Sequence, residues 1–377
     1  VPAKALAEQA PLRHPEAVRP AWQDDLLDLD VTRLSQQDDW TGMLTVLLGT
    51  PTIASKEWVY RQYDSVVRTS TVVGPGSDAA VLRVDGTEHG IALTIDGPGR
   101  MCLLDPATGA AMAVAEAARN LVCSGAKPLA LTDCLNFGNP EKPDVFWQFS
   151  QAVMGMSDAC RKLGIPVIGG NVSFYNETGA STIIPTPVVG MVGVVEDLGR
   201  VCRQGFGEPG SVVILLGANT DELGGSEYVR LVTGRTAGRV PLLDLEREKA
   251  VQELCLAGIR CELIQSAHDV SDGGLAVTLA ESCISGRTGA NLSLPAGIRP
   301  DALLFGEAPS RIVVTVGARD LQALVAMAGE MGVPLTVLGT TGGTLLNIDV
   351  SGNSLVHVPV AGLAAAWSGS LPQAMSV

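Results

Sequence analysis

Apolar and polar positions change rhythm several times along this chain, and each change marks an element. Between Asp24 and Leu48, Leu26, Leu27, Leu29, Val31 and Leu34, and then Met43, Leu44, Val46 and Leu47, recur at roughly helical spacing. They predict two short helices lying on something larger. From Ala79 the rhythm becomes that of strands, with Ala80-Val81-Leu82-Arg83-Val84 and Ile91-Ala92-Leu93-Thr94-Ile95 on either side of the turn-forming Asp85-Gly86. Gly109 to Ser124 is Ala-rich, keeps a helical period and holds no helix breaker, so it predicts a helix. Pro128 to Thr132 then predicts a strand with Asp133 at its end. Asp144 to Leu163 is a second helix, whose buried face is Val145, Phe149, Val153, Met156, Cys160 and Leu163. Ile165 to Ile168 and Val188 to Val195 read as buried strands.

The same pattern divides the chain. Residues 1–22, with Pro2, Pro11, Pro15 and Pro20, break every helical run and form a linker. Gly205, Gly207 and Pro209 precede the apolar run Val212 to Leu216 and place a boundary near residue 197. This gives a helical lead-in with a first domain over 23–197 and a second domain over 198–377. In the second, strands (Arg311 to Val316, Leu335 to Leu338, Leu345 to Val350) alternate with helices (Leu275 to Ser285, Arg319 to Met331). At 377 residues the chain exceeds one ordinary core. The expectation is an α/β (α+β) protein of two domains. The first is a sheet with helices on one face, and its other apolar face needs the cover of an equivalent domain.

Candidate chemistry gathers behind Ile168. Gly169-Gly170-Asn171-Val172-Ser173-Phe174-Tyr175-Asn176-Glu177 places polar side chains directly after an apolar run, where desolvated groups need partners. The glycines let main-chain N–H groups approach an anion, Asn171 and Glu177 offer hard oxygens of the kind Mg2+ takes, and Ser173 can donate to a phosphate or polar substrate. A strand-to-loop turn chosen for backbone shape accounts for the same residues. Asp133 with Asn136, Gly138 and Asn139 is a second oxygen-rich loop on the same predicted edge. Asp96 on Gly97-Pro98-Gly99 is either a metal or phosphate rim or a plain turn. Glu116 and Asn120, one helical turn apart, either meet a ligand or face solvent. His268-Asp269-Val270-Ser271-Asp272-Gly273-Gly274 reads better as a helix start capped by Asp272 than as a catalytic His, and Glu307 to Arg311 better as an exposed ion pair than as an anion site.

Charge narrows the partners. A formal net charge of −14, with no Lys/Arg stripe, argues against nucleic acid or an acidic membrane surface, so any phosphate is held locally by backbone amides and a metal. Eight cysteines without a CxxC pair read as buried thiols of a reducing compartment, the cytoplasm. No P-loop motif occurs, four scattered histidines form no metal pattern, and prolines and glycines break the apolar stretch from Ile183 to Val195. The chain starts at Val1 in a Pro- and Ala-rich stretch and reads as a piece of something longer.

Several motifs taken together resemble one family. Ser55 to Asp64, Glu116 to Asn120 running into Gly125-Ala126-Lys127-Pro128, Thr132 to Glu141, Gly170 to Glu177, Pro185-Thr186-Pro187, Leu223 to Tyr228 and His268 to Gly274 are similar to phosphoribosylformylglycinamidine synthase over nearly the whole chain. Single motifs are shared with aminoimidazole ribonucleotide synthetase and its relatives. The resemblance implies the second half of an internally duplicated enzyme, an A-type domain followed by a B-type domain. It implies an ATP- and Mg2+-dependent ligase that converts formylglycinamide ribonucleotide and glutamine-derived ammonia to the amidine. By the same resemblance Asp133 and Gly170 contact ATP, Asn171 ligates Mg2+ and Ser173 touches substrate, while Asp96, Glu116 and Asn120 match an auxiliary nucleotide site. The implied partners are the missing first half, a glutaminase subunit and a small bridging subunit, with self-association of the isolated half. Ser55-Lys56-Glu57-Trp58 holds no histidine where the first half carries its catalytic one, so no catalytic residue is expected in this chain. The alternatives are a non-catalytic nucleotide-binding scaffold and a homodimeric synthetase or kinase of the related group.

Overall fold

The computed structural model describes residues 1–10, 12–34, 38–179 and 181–376. Pro11, counted among the breakers of the linker, lies outside the described residues.

Six strands build the first sheet: β1 (Thr71–Val73), β2 (Ala80–Arg83), β3 (Gly90–Asp96), β4 (Lys127–Asn136), β5 (Val167–Ser173) and β6 (Thr186–Val195). Their order is β1-β2-β3-β6-β4-β5, antiparallel except for the β4–β5 pair. One face is covered by two long helices, α1 (Pro106–Cys123) and α2 (Pro143–Leu163). Asp105 starts α1 by accepting the N–H groups of Ala107 and Thr108, with Pro106 pre-set for the first turn, and Gly164 ends α2 at φ 72°. The small residues of α1 (Ala110, Ala113, Ala117, Ala118) let it lie close under the sheet. A Cβ on Gly155 of α2 would stand 1.9 Å from the Ala107 carbonyl oxygen, so the two helices touch at a point only glycine permits.

The opposite face is open. Ile91, Leu93 and Ile95 are exposed along β3; Leu129, Val167, Ile168 and Val172 are exposed along the β4–β5 edge, Val172 on its helix side opposite Leu135. β5, expected as a short buried strand, is instead the exposed edge strand and runs on through the glycines to Ser173. β4 likewise extends past Thr132, so Asp133 stands inside the strand rather than at its end.

The second sheet has seven strands: β7 (Val212–Leu216), β8 (Ile264–Asp269), β9 (Ala290–Leu294), β10 (Ile312–Val316), β11 (Leu335–Thr341), β12 (Leu345–Val350) and β13 (Asn353–Pro359), in the order β8-β10-β7-β11-β9-β12-β13. β7 and β10 are buried along their whole length because both faces are covered, which explains their unbroken apolar sequences. One side is packed by the helices Gly274–Gly286 and Val360–Ala374 and by Trp40–Leu48, and the other by Leu245–Arg260 and Leu321–Glu330. The lead-in helix Trp40–Leu48, grouped by sequence with the first domain, therefore buries Trp40, Leu44, Leu47 and Leu48 in the core of the second. Val122 and Cys123, at the end of α1, also enter a second-sheet core. No helix among the described residues is long and apolar enough to cross a membrane.

Candidate functional site

Two loci collect the residues singled out by sequence. The first is the free edge of the first sheet. Asp133 pairs with Gly170, Cys134 with Asn171 and Asn136 with Ser173 in the parallel β4–β5 ladder. Strand alternation sends Asp133 and Gly170 to the helix-covered face, and Asn171 and Ser173 to the open one. The four residues share an edge but not a face. A Cβ on Gly170 would lie 2.4 Å from Asp133 Oδ1, so glycine here makes room for a carboxylate rather than for a turn. Partial burial raises the pKa of that carboxyl. On the open face the Asn171 side chain makes no hydrogen bond among the described residues, while Ser173 Oγ donates to Asn176 Oδ1 at 3.2 Å.

Glu177 is not free to bind a metal. It accepts the Asn139 N–H at 2.9 Å and an ion pair from Lys142, and these hold its carboxyl below the usual range. Asn171, flanked on its face by Thr132, Cys134 and Ser173, offers a single amide oxygen; it fits Mg2+ as one ligand whose carboxylate companions come from elsewhere.

The second locus is a cleft of about 810 Å³ between the two sheets. Asp96, Glu116 and Asn120 meet here, and Asn120 Nδ2 donates to Asp96 Oδ1 at 2.8 Å. Asp78, His268, Asp272, Glu281, Lys56 and Trp367 complete its polar wall. Burial pushes Asp96 up to about 7, with the charge of Asp269 adding to it and hydrogen bonds from Thr94 and Asn120 opposing. Glu116 is raised well above the carboxylate range by burial, then by Asp96 and Asp269. Burial alone would lower the pKa of His268; Asp78 at 2.9 Å on Nδ1 and Glu281 at 3.1 Å on Nε2 outweigh it and hold the imidazolium. Lys56 is lowered by burial and donates to the carbonyls of Thr52 and Ala54. Of the five carboxyl groups here, Asp78 and Glu281 are paired with His268 and Asp272 with Arg100, which leaves Asp96 and Glu116, both raised, without an ion pair among the described residues. Among the described residues no three His, Cys, Asp or Glu side chains converge to hold a metal by themselves. A cation shared with phosphate oxygens, needing only one or two carboxylates, would be held by Asp96 and Glu116 in their ionised forms.

The two loci are joined by register. Asp96 and Asp133 both pair with Val189 of β6, so Asp96, Val189, Asp133 and Gly170 form one row across four strands. With strands about 4.8 Å apart, the two aspartates are separated by about 10 Å of backbone.

The segments expected to be plain structure prove to be joints. Asp272 does not cap the following helix, which starts after Gly273 without a side-chain cap; its carboxylate pairs with Arg100 instead. Glu307 and Arg311 are not an exposed pair. Glu307 is 4% exposed and accepts the N–H groups of Glu227 and Gly273, each at 2.8 Å, whereas Arg311, 1% exposed, donates to the carbonyls of Gly306 and Ala308. Arg100, from the first domain, reaches Glu227, Asp272 and Glu307 of the second. Deeper in the interface Arg119 Nε bonds Asp269 at 2.6 Å and its Nη1 bonds Glu248 at 2.9 Å. Asp78 and Glu281 were not found from sequence. The signal for Asp78 was the Gly74-Pro75-Gly76-Ser77 turn before β2, whereas Glu281 lies inside a helix and carries none.

Comparison with known proteins agrees with this architecture. Residues 76–195 match the AIR synthase related protein N-terminal domain and residues 208–346 its C-terminal domain. The chain belongs to the AIR synthase related family. Within it, the chain is similar end to end to phosphoribosylformylglycinamidine synthase subunit PurL. It is 52% identical to the Moorella thermoacetica subunit over 376 residues, which is 100% of this chain and 51% of that one. The chain spans about half the length of the curated relatives it matches. T. maritima PurL complexed with FGAR superposes with a TM-score of 0.71 over 90% of this chain and 56% of that one, at 19% identity. T. maritima PurL complexed with ATP gives 0.68 over 90% and 55%, also at 19%.

Proposed function

We propose that this chain is the second half of an ATP-dependent, amidine-forming ligase, a phosphoribosylformylglycinamidine synthase. The end-to-end match to half of subunits bearing that name carries the reading. The structures complexed with FGAR and with ATP support the substrate class; the partners of this reading are the remaining half, a glutaminase and a small bridging subunit. The β4–β5 edge is this chain's contribution to the shared active site. Asp133 and the backbone of Gly170 contact the nucleotide from the helix-covered side of the edge, and on its open side Asn171 gives one oxygen to Mg2+ and Ser173, bonded to Asn176, touches the ribonucleotide. The metal, when bound, neutralises charge on the transferring phosphoryl group. The catalytic histidine and the remaining metal carboxylates come from the other half.

A second role belongs to the cleft. Asp96 and Glu116, which have no ion pair among the described residues and would ionise on meeting a cation, with Asn120 bonded to Asp96, favour a Mg2+-nucleotide held without turnover, a structural ligand of the assembly.

Phosphate release from ATP with formylglycinamide ribonucleotide and ammonium tests the first reading, run with this chain alone and with a separately expressed partner half. Activity is expected only on mixing, and Asn171→Asp is expected to change Mg2+-nucleotide affinity in the mixture. Turnover by the chain alone would show a complete site and transfer the reading to a homodimeric synthetase.

A further inference from the structure

A cavity of about 350 Å³ that shares no residue with the cleft lies where the C-terminal ends of α1 and α2 meet the helix Leu245–Arg260. Its walls are apolar, from Val122, Leu163 and Ile165 of the first domain and Leu256 and Ala257 of the second. Its rim is cationic, which is unusual on a chain of net charge −14: Lys127, Lys249 and Arg260 stand around it against the single carboxylate of Glu253. Arg260 is paired with Glu196 at 3.0 Å and Lys249 lies 3.9 Å from Glu253, whereas Lys127 has no ion pair or side-chain hydrogen bond among the described residues. One buried polar group also faces the space. Gln252, 6% exposed, uses Nε2 on Ala115 O and on Glu248 Oε1, and its Oε1 accepts no hydrogen bond among the described residues.

We propose that this cavity binds a small amphipathic anion. The ligand has an apolar, flat body within the cavity volume, an N–H or O–H group for Gln252 Oε1, and one negative group between Lys127 and Lys249. Volume sets the size, since pockets for small molecules start at about 300 Å³. The sign of the rim disfavours a cation, and a negative group gives Lys127 the ion pair it lacks among the described residues. Because the walls come from both domains, an occupant ties them together.

The probe is 8-anilinonaphthalene-1-sulfonate, which carries an apolar body, an N–H and one sulfonate. Its fluorescence titration on the whole chain is expected to show one saturable site, weakened about tenfold or more by Lys127→Glu with Lys249→Glu and abolished by Ala257→Trp. Ile168→Asp, on the open sheet edge, is expected to leave that site unchanged. Both lysine changes are at solvent-facing positions, so they keep the test valid if Ala257→Trp fails to fold. The uncharged N-phenyl-1-naphthylamine is expected to bind about tenfold more weakly or worse. Two results would overturn the proposal: a signal indifferent to the lysine changes or lost with Ile168→Asp, or a neutral dye that binds as tightly as the anion.

Discussion

Gly170 is bare because Asp133 fills the space its side chain would need, with the Asp133 oxygen 2.4 Å from the position of the absent Cβ. Gly170→Ala is therefore expected to destabilise the fold by about 1–3 kcal/mol through overpacking. Asp133→Ala in the same chain should recover part of the loss, the Asp133 carbonyl oxygen at 2.9 Å keeping the rest. A double-mutant cycle by urea denaturation measures the coupling, and additive losses would mean that the two residues do not contend for one space.

Arg119 lies deeper between the domains than Arg100, 2% exposed and bonded to both Asp269 and Glu248. Arg119→Met leaves two buried carboxylates without their cation and is expected to cost about 3–5 kcal/mol. Adding Asp269→Asn and Glu248→Gln should recover stability. Thermal unfolding of the single and triple variants decides between them.

The carboxyls of Asp96 and Glu307, both held at about 7, make stability depend on pH. A carboxyl raised in the folded state contributes stability that is fully present below its unfolded pKa of 3.8 or 4.5 and is lost as pH rises through about 7. His268, raised above 6.5, acts in the same direction at higher pH. The melting temperature is expected to fall from pH 6 to pH 8. Asp96→Asn should flatten the slope, and Mg2+ with ADP should flatten it in the native chain but not in that variant. A slope unchanged by Asp96→Asn would remove this aspartate from the account.

The open face carrying Ile91, Leu93 and Ile95 predicts self-association of this chain on its own. Sedimentation velocity should show an average mass that rises with concentration, and Leu93→Lys with Ile95→Lys should reduce it. A clean monomer at high concentration would contradict the expectation.

Much of this architecture is legible in the chain. The two helices of the first domain are announced by their spacing, and Gly97 marks where β3 ends, whereas Gly169-Gly170 lie inside a strand. The helical period puts Glu116 and Asn120 on one face, but their meeting with Asp96 is implied only by the family resemblance. The β5 strand misled because Pro166 to Ile168 has the composition of a buried strand; whether an apolar strand is central or at an edge depends on which strands flank it. Asp272, Glu307 and Arg311 misled for a related reason. Near glycines they have the appearance of caps and surface pairs; only the approach of Arg100 from far away in sequence makes Asp272 and Glu307 a joint, and Arg311 is buried on carbonyls of its own domain. Asp78 and Glu281 became visible only when β8 brought His268 between them.

Val122 and Cys123 belong by sequence to the helix that supports the first sheet, yet they are packed in the core under the second. Proteolysis in the connection between the sheets would thus separate pieces that still need each other, and neither is expected to remain folded once diluted apart. The smallest portion of this chain that can be moved between genes, duplicated or expressed by itself is the pair of domains, which inherit their stability jointly.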